Sequence, residues 1–133
     1  MTDQSSVAIV VSIYDAFRRG DIAAIINLLD DHAELVFEGS SSIPWSGNRE
    51  GRDGWGSFFQ LVGENLDDIK LTMAPFAAEG DRVVAAGRYQ ALVRRTGKRI
   101  DSPLVHLWTV RNQKVVRCQE LTNTAAEAAA CAS

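Results

Sequence analysis

Three segments carry apolar residues at the i, i+3, i+4, i+7 spacing of a one-sided helix. They are Val7, Val10, Val11 and Tyr14; then Ile22, Ile25, Ile26 and Leu29; then Trp55, Phe58, Phe59 and Val62. Gly20-Asp21 divides the first two, with Gly suited to end one helix and Asp to cap the next. Asp53 is placed to cap the third. A short strand over residues 33–38 is expected between the second and third helices. After Asp68 the period drops to two. Ile69, Leu71 and Met73 alternate with Lys70 and Thr72, residues 83–93 are β-rich, and Thr96-Gly97-Lys98 reads as a hairpin turn. Residues 104–110 and 115–121 follow, joined by a turn at 111–114. Short connections between consecutive strands imply antiparallel neighbours, so about four antiparallel strands follow the helices.

Segregated helices and strands predict an α+β fold, in which three one-sided helices cover one face of a curved sheet. A sheet curled around helices leaves a cone with a wide mouth, and such a cone suits a small molecule. Its outer face is free to pair with a second copy, so a homodimer is expected. The length, 133 residues, fits one domain, read as 1–126, with an Ala-rich tail at 127–133 that is frayed or a short helix.

Composition narrows the partners. The chain is 46% hydrophobic and 23% charged, which excludes a disordered or fibrous chain. Acids outnumber bases 17 to 14, against a nucleic-acid partner. The basic hairpin tip, Arg94-Arg95 with Lys98-Arg99, is too short to argue otherwise and reads as a solvated end. No run approaches the ~20 apolar residues of a membrane span. The first residues lack a basic n-region, and two cysteines, Cys118 and Cys131, make no disulfide framework; a reduced, cytoplasmic protein is expected. Two histidines without ligand spacing offer no metal site, and Gly51-Arg52-Asp53-Gly54 lacks the Lys of a phosphate loop, so no cofactor is expected.

Several stretches together resemble the nuclear-transport-factor-2-like superfamily and, within it, a broad SnoaL-like group. They are Tyr14-Asp15-Ala16-Phe17-Arg18-Arg19-Gly20-Asp21, Leu28-Leu29-Asp30-Asp31-His32-Ala33, Pro44-Trp45-Ser46-Gly47 leading to Gly51-Arg52-Asp53, and His106-Leu107-Trp108-Thr109-Val110-Arg111 with Lys114-Val115-Val116-Arg117. The superfamily includes ketosteroid isomerases, SnoaL-like polyketide cyclases and limonene-epoxide hydrolases. The resemblance implies a cone-shaped mixed sheet around three N-terminal helices. It does not by itself imply an activity, because one fold hosts many functions.

Each family chemistry can be set against the residues. At the places where the isomerases carry two oxyanion donors, a Tyr and a protonated Asp, this chain has Ile13 and Val105. Glu38 falls near the isomerase base, but a base without an oxyanion site enolises poorly. The hydrolases use an Asp-Arg-Asp set. The resemblance places Arg88 at the Arg, Glu120 at one acid and Gln90 at the other, where Gln cannot accept a proton. The cyclases carry an acid/base Asp that Glu120 again matches.

Strand residues two apart share a face. With Cys118 and Glu120, Arg88 and Gln90, and Val105 and Leu107 facing inward, the cone would be mostly apolar, with Arg88, Gln90 and Glu120 as its catalytic polar group. Tyr14, Phe17, Trp55, Phe58 and Phe59 would form its walls, Glu38 a pocket carboxylate or a solvated strand end, and Trp45 a lid or an interface anchor. His106 and Trp108 would then face outward. The function read from this is binding of a small, mostly apolar molecule, with cofactor-independent isomerase, cyclase or hydrolase chemistry at Glu120. The rival is a non-catalytic binding or dimeric interaction module in which Arg88–Glu120 is a structural ion pair.

Overall fold

The computed structural model describes residues 3–133; Met1 and Thr2, the first two residues of the expected domain, lie outside the described residues. The elements are α1 (Asp3–Arg18), α2 (Ile22–Asn27), β1 (Leu29–Val36), β2 (Arg49–Glu50), α3 (Gly51–Asn65), β3 (Leu66–Glu79), β4 (Arg82–Val93), β5 (Arg99–Arg111), β6 (Lys114–Thr122) and α4 (Thr124–Cys131). One curved, unclosed sheet runs β2-β1-β6-β5-β4-β3. β1 is parallel to β6, and every other pair is antiparallel.

Local chemistry explains most boundaries. Gly20, at φ +73°, ends α1, and Asp21 caps α2 by accepting from the Ala24 N–H at 3.1 Å. α2 is shorter than its apolar stripe suggests, because Leu29 opens β1 and is fully buried there. α3 starts at Gly51, so Asp53 lies in its first turn rather than at its cap, where a carboxylate still favours the positive end of the helix dipole.

The 126/127 boundary falls inside α4. Asn123 caps this helix through the Ala126 N–H, and Glu127, Ala130 and Cys131 are buried. The basic hairpin tip is engaged with helix ends rather than simply solvated. Arg94 donates to Gly63 O and Glu64 O at the end of α3. Arg95 donates to Cys131 O, Thr96 to Ala130 O and Lys98 to Ala132 O at the end of α4. Cationic donors on terminal carbonyls satisfy groups that a helix leaves unpaired.

The core lies between the helices and the concave face. Val10, Ile13 and Ala16 of α1, Ile25 of α2 and Trp55 and Phe58 of α3 pack on Val83, Ala85, Ala91, Leu104, Trp108 and Val110 of the sheet. Register shifts in β3, between Asp67 and Lys70 and between Pro75 and Ala77, and in the β5–β6 pairing mark the bends that a curved sheet needs. At Gly87 the backbones come so close that an added Cβ would lie 1.8 Å from Thr72 O. No helix among the described residues is long and apolar enough to cross a membrane.

Candidate functional site

A cavity of about 90 Å³ sits inside the cone. That is several times the ~10–15 Å³ a single water needs. Tyr14 and Phe17 from α1, Trp45 from the β1–β2 loop, and Trp55, Phe58 and Phe59 from α3 line it. The sheet contributes Tyr89, Leu104, His106, Trp108, Cys118 and Glu120. A groove of about 480 Å³ between α1, α2, α3 and β3 shares Tyr14, Phe17, Phe59, Val62, Ile69 and Leu71 with the cavity, and so forms its mouth.

Two strands bring the polar wall together. His106 and Glu120 are directly opposed partners across the β5–β6 ladder, which puts both side chains on one face. His106 Nε2 lies 2.8 Å from Glu120 Oε1, and His106 Nδ1 lies 2.6 Å from Tyr14 Oη. Trp108 Nε1, one turn of the pleat along, donates to Tyr14 Oη at 2.9 Å. An indole N–H only donates and a carboxylate only accepts. The network therefore assigns the imidazole proton to Nε2, toward Glu120, and leaves Nδ1 to accept the Tyr14 hydroxyl. Burial pushes the Tyr14 hydroxyl well above the ordinary phenol range, against the pull of the Trp108 bond, so Tyr14 is a neutral donor. His106 and Glu120 keep 9% and 14% side-chain exposure. His106 is the only hydrogen-bond partner of Glu120 among the described residues, leaving its second oxygen unclaimed.

The inner faces of β4 and β5 are offset by one residue from the expected assignment. Arg88 and Gln90 are exposed on the outer face, and Arg88 pairs with Asp101 at 2.6 Å instead of Glu120. Tyr89 points inward in their place. Val105 and Leu107 are half-buried on the outer face, while His106 and Trp108 line the cavity. Glu38 is exposed beyond β1 and away from the cavity wall. Both faces of β4 and β5 carry apolar residues, so alternation alone did not select one, and a one-residue change of parity inverts every side chain. Because the Arg88–Asp101 pair is solvent-exposed, Arg88→Gln is expected to change stability by less than ~1 kcal/mol and leave ligand affinity unaltered, by urea unfolding and titration.

The sequence reading missed Tyr89, Trp108, His106 and Glu127 as contributors. Glu127 is fully buried behind the cavity wall. It accepts from Trp45 Nε1 at 3.2 Å and from the hydroxyls of Tyr89 and Thr122. Burial raises its carboxyl above the ordinary 4.5; the Thr122 and Tyr89 bonds oppose that, and nearby Glu120 adds to it. A raised folded-state pKa means the fold favours the neutral acid. This contribution is whole below 4.5 and is lost as pH rises through the folded value. Wild-type stability should therefore fall relative to Glu127→Gln as pH is raised from ~4 to ~8, in urea unfolding at stepped pH.

The unpaired thiols fit a non-catalytic role. Cys118 lines the cavity and Cys131 is buried in α4. Burial drives the Cys118 thiol well above its ordinary range, leaving a poor nucleophile. Among the described residues, no group of His, Cys, Asp and Glu is placed to hold a metal ion.

Comparisons with known proteins give this geometry a context. No curated protein matches the chain. A nuclear-transport-factor-2-like protein from Burkholderia xenovorans LB400 superposes with TM-score 0.89 at 28% identity, over 99% of each chain. TerC, crystallised with polyporic acid, superposes with TM-score 0.86 at 26% identity, over 97% of this chain and 99% of its own. A candidate SnoaL-like polyketide cyclase from Jannaschia sp. CCS1 shares the fold, with TM-score 0.84 at 18% identity, over 98% of this chain and 93% of its own. The model of the SnoaL-like domain matches residues 10–118, from the first buried valine of α1 to the cavity cysteine of β6. The chain belongs to the SnoaL-like domain family.

Proposed function

We propose that the protein binds a small, planar, largely apolar molecule in the cone and moves a proton on it with Glu120, without a cofactor. The observation that carries this reading is the hydrogen-bonded chain Glu120–His106–Tyr14–Trp108 along one wall of an otherwise aromatic cavity. The similar TerC structure, co-crystallised with polyporic acid, supports a small organic molecule as occupant. In the reaction, the free oxygen of Glu120 takes a proton from a carbon next to a carbonyl, and the C–H electron pair passes into an enolate. The protonated carboxyl then returns the proton to another atom of the same molecule, as an isomerase or cyclase requires. Nε2–H of His106 holds the carboxylate in place, and Tyr14 keeps the imidazole in that tautomer. Trp108 donating to Tyr14 strengthens the Tyr14 hydroxyl as the donor to His106 Nδ1, and so helps to hold that tautomer. The hydrolase version is not favoured, because its expected arginine, Arg88, lies outside the cone.

The test uses 2-tetralone, a small, mostly apolar bicyclic ketone, in D2O. Proton transfer predicts that the protein accelerates deuterium uptake at the α carbon, followed by NMR. Binding without acceleration would leave the protein a ligand-binding module, and the absence of both would remove the cavity as a site.

The outer sheet face carries Val84, Val105, Leu107 and Val116, half-buried, and Leu121 at 46% exposure, which supports a homodimer through that face. Sedimentation at several concentrations tests it, and a concentration-independent monomer would end it. Two unpaired cysteines accord with a reducing, cytoplasmic setting.

A further inference from the structure

Glu127 has features that the proton-transfer reading does not use. Its carboxyl group is fully buried, yet among the described residues no cation pairs with it. Its partners are three neutral donors, from Trp45, Tyr89 and Thr122. Two of those donors, Trp45 and Tyr89, line the cavity. They come from different parts of the fold, a loop and a central strand, and Glu127 Oε2 ties both to one atom. The Trp45 backbone is held as well, because Arg49 donates to its carbonyl at 3.0 Å. Asn123 caps α4, and its own N–H is accepted by buried Ser102 at 2.9 Å, so the helix presenting Glu127 is fixed at its start. α4 lies beyond the residues 10–118 that match the SnoaL-like family. An apolar side chain at 127 would fill the same space without desolvating a carboxylate, so the three directed bonds are what this residue adds.

We infer that Glu127 is a positioning residue for ligand selectivity: by clamping Trp45 and Tyr89 it sets the shape of the inner cavity wall and thereby the size of aromatic ligand the cone accepts. This rests on the cavity being a ligand site. The clamp acts through ring placement and touches no ligand atom itself. Loss of the clamp frees two rings to move, which lowers the penalty on a larger ligand more than it changes the fit of a small one.

The test compares 2-naphthol with 1-hydroxypyrene, the same hydroxylated aromatic type with two further rings, by fluorescence titration of the whole protein. The wild type is expected to prefer 2-naphthol. Glu127→Ala should lower the ratio of the two affinities ~10-fold, as expected for losing the bonds that fix two cavity rings. Glu127→Gln, which keeps an acceptor for Trp45, should restore most of the ratio. Trp45→Phe, which keeps a ring but removes its tether, should lower it as Glu127→Ala does, and it serves if Glu127→Ala does not fold. A purely structural role would weaken both probes alike and leave the ratio fixed. In parallel, the indole N–H resonance of Trp45 should move in Glu127→Gln while those of Trp55 and Trp108, bonded to Ala33 O and Tyr14 Oη, stay in place. An unchanged ratio in Glu127→Ala and Trp45→Phe, with the wild type binding, overturns the positioning role alone. A wild type that binds neither probe overturns the ligand-site reading and this inference with it.

Discussion

Glu120→Gln is expected to slow deuterium uptake by 2-tetralone ~10²- to 10⁴-fold, the usual weight of a positioned general base. The substitution is isosteric and keeps an oxygen for the His106 N–H. It removes only the ability to take a proton, since a neutral amide oxygen is a poor base. Binding of 2-naphthol should stay within ~3-fold of wild type, because a loss confined to rate marks an interaction used in the transition state. Tyr14→Phe provides the graded counterpart. It leaves Glu120 intact but deprives Nδ1 of its donor and Trp108 of its acceptor. The loss should be smaller, ~10-fold, as the imidazole is freed to change tautomer. Equal rates for wild type and Glu120→Gln would reduce the Glu120–His106 pair to a strut in the sheet.

Gly87→Ala should cost about 3 kcal/mol, enough to lower the melting temperature by roughly 10 °C in a chain of this size. The added methyl would meet Thr72 O at 1.8 Å, Thr72 C at 2.8 Å and Met73 Sδ at 2.9 Å. Two of these are backbone atoms of the neighbouring strand, so no rotamer change relieves the clash. Either β3 moves away from β4 or the sheet loses curvature, and Ile69 and Leu71 of β3 lie in the cavity wall. Ligand affinity should fall together with stability. Gly56→Ala is the control: it lies inside α3 with nothing within 4 Å of the added Cβ, so it should gain about 0.5–1 kcal/mol. Calorimetry on the two variants would test both signs, and a Gly87→Ala protein as stable as wild type would show that the close approach is not maintained in solution.

The fold was largely legible because its signals are local. The Gly20–Asp21 break, the Trp55–Phe58–Val62 stripe and the turns at 96–98 and 111–114 each depend on residues close in sequence. The helical walls of the site were equally readable. Tyr14, Phe17, Trp55, Phe58 and Phe59 line the cavity because a one-sided helix has one face to bury. The strand walls were not. In β4, Val83, Ala85 and Ala91 alternate with Val84, Ala86 and Leu92, so either parity makes an apolar face, and only the packed helices select Tyr89 over Arg88 and Gln90. In β6 the register shift opposite Thr109 and Val110 changes parity partway along. Cys118 and Glu120 face inward beyond it, three and five residues after buried Val115. Glu127 stood in an alanine-rich stretch that looked like a tail. Nothing nearby in sequence announces that Trp45, Tyr89 and Thr122 converge on it.

By itself, then, the sequence determined the succession of helices and strands and the α+β class, because periodicity and turn chemistry act over a few residues, while Glu120 was singled out by resemblance to the acid positions of the family. Tertiary structure alone decided what Glu120 meets. Its partner is His106 rather than Arg88, because pairing across β5 and β6 sets two residues 14 apart in sequence side by side on the concave face. The same packing turned the C-terminal alanine-rich segment into a capped helix with a buried carboxylate, since burial depends on what surrounds a residue in space and not on its neighbours in the chain.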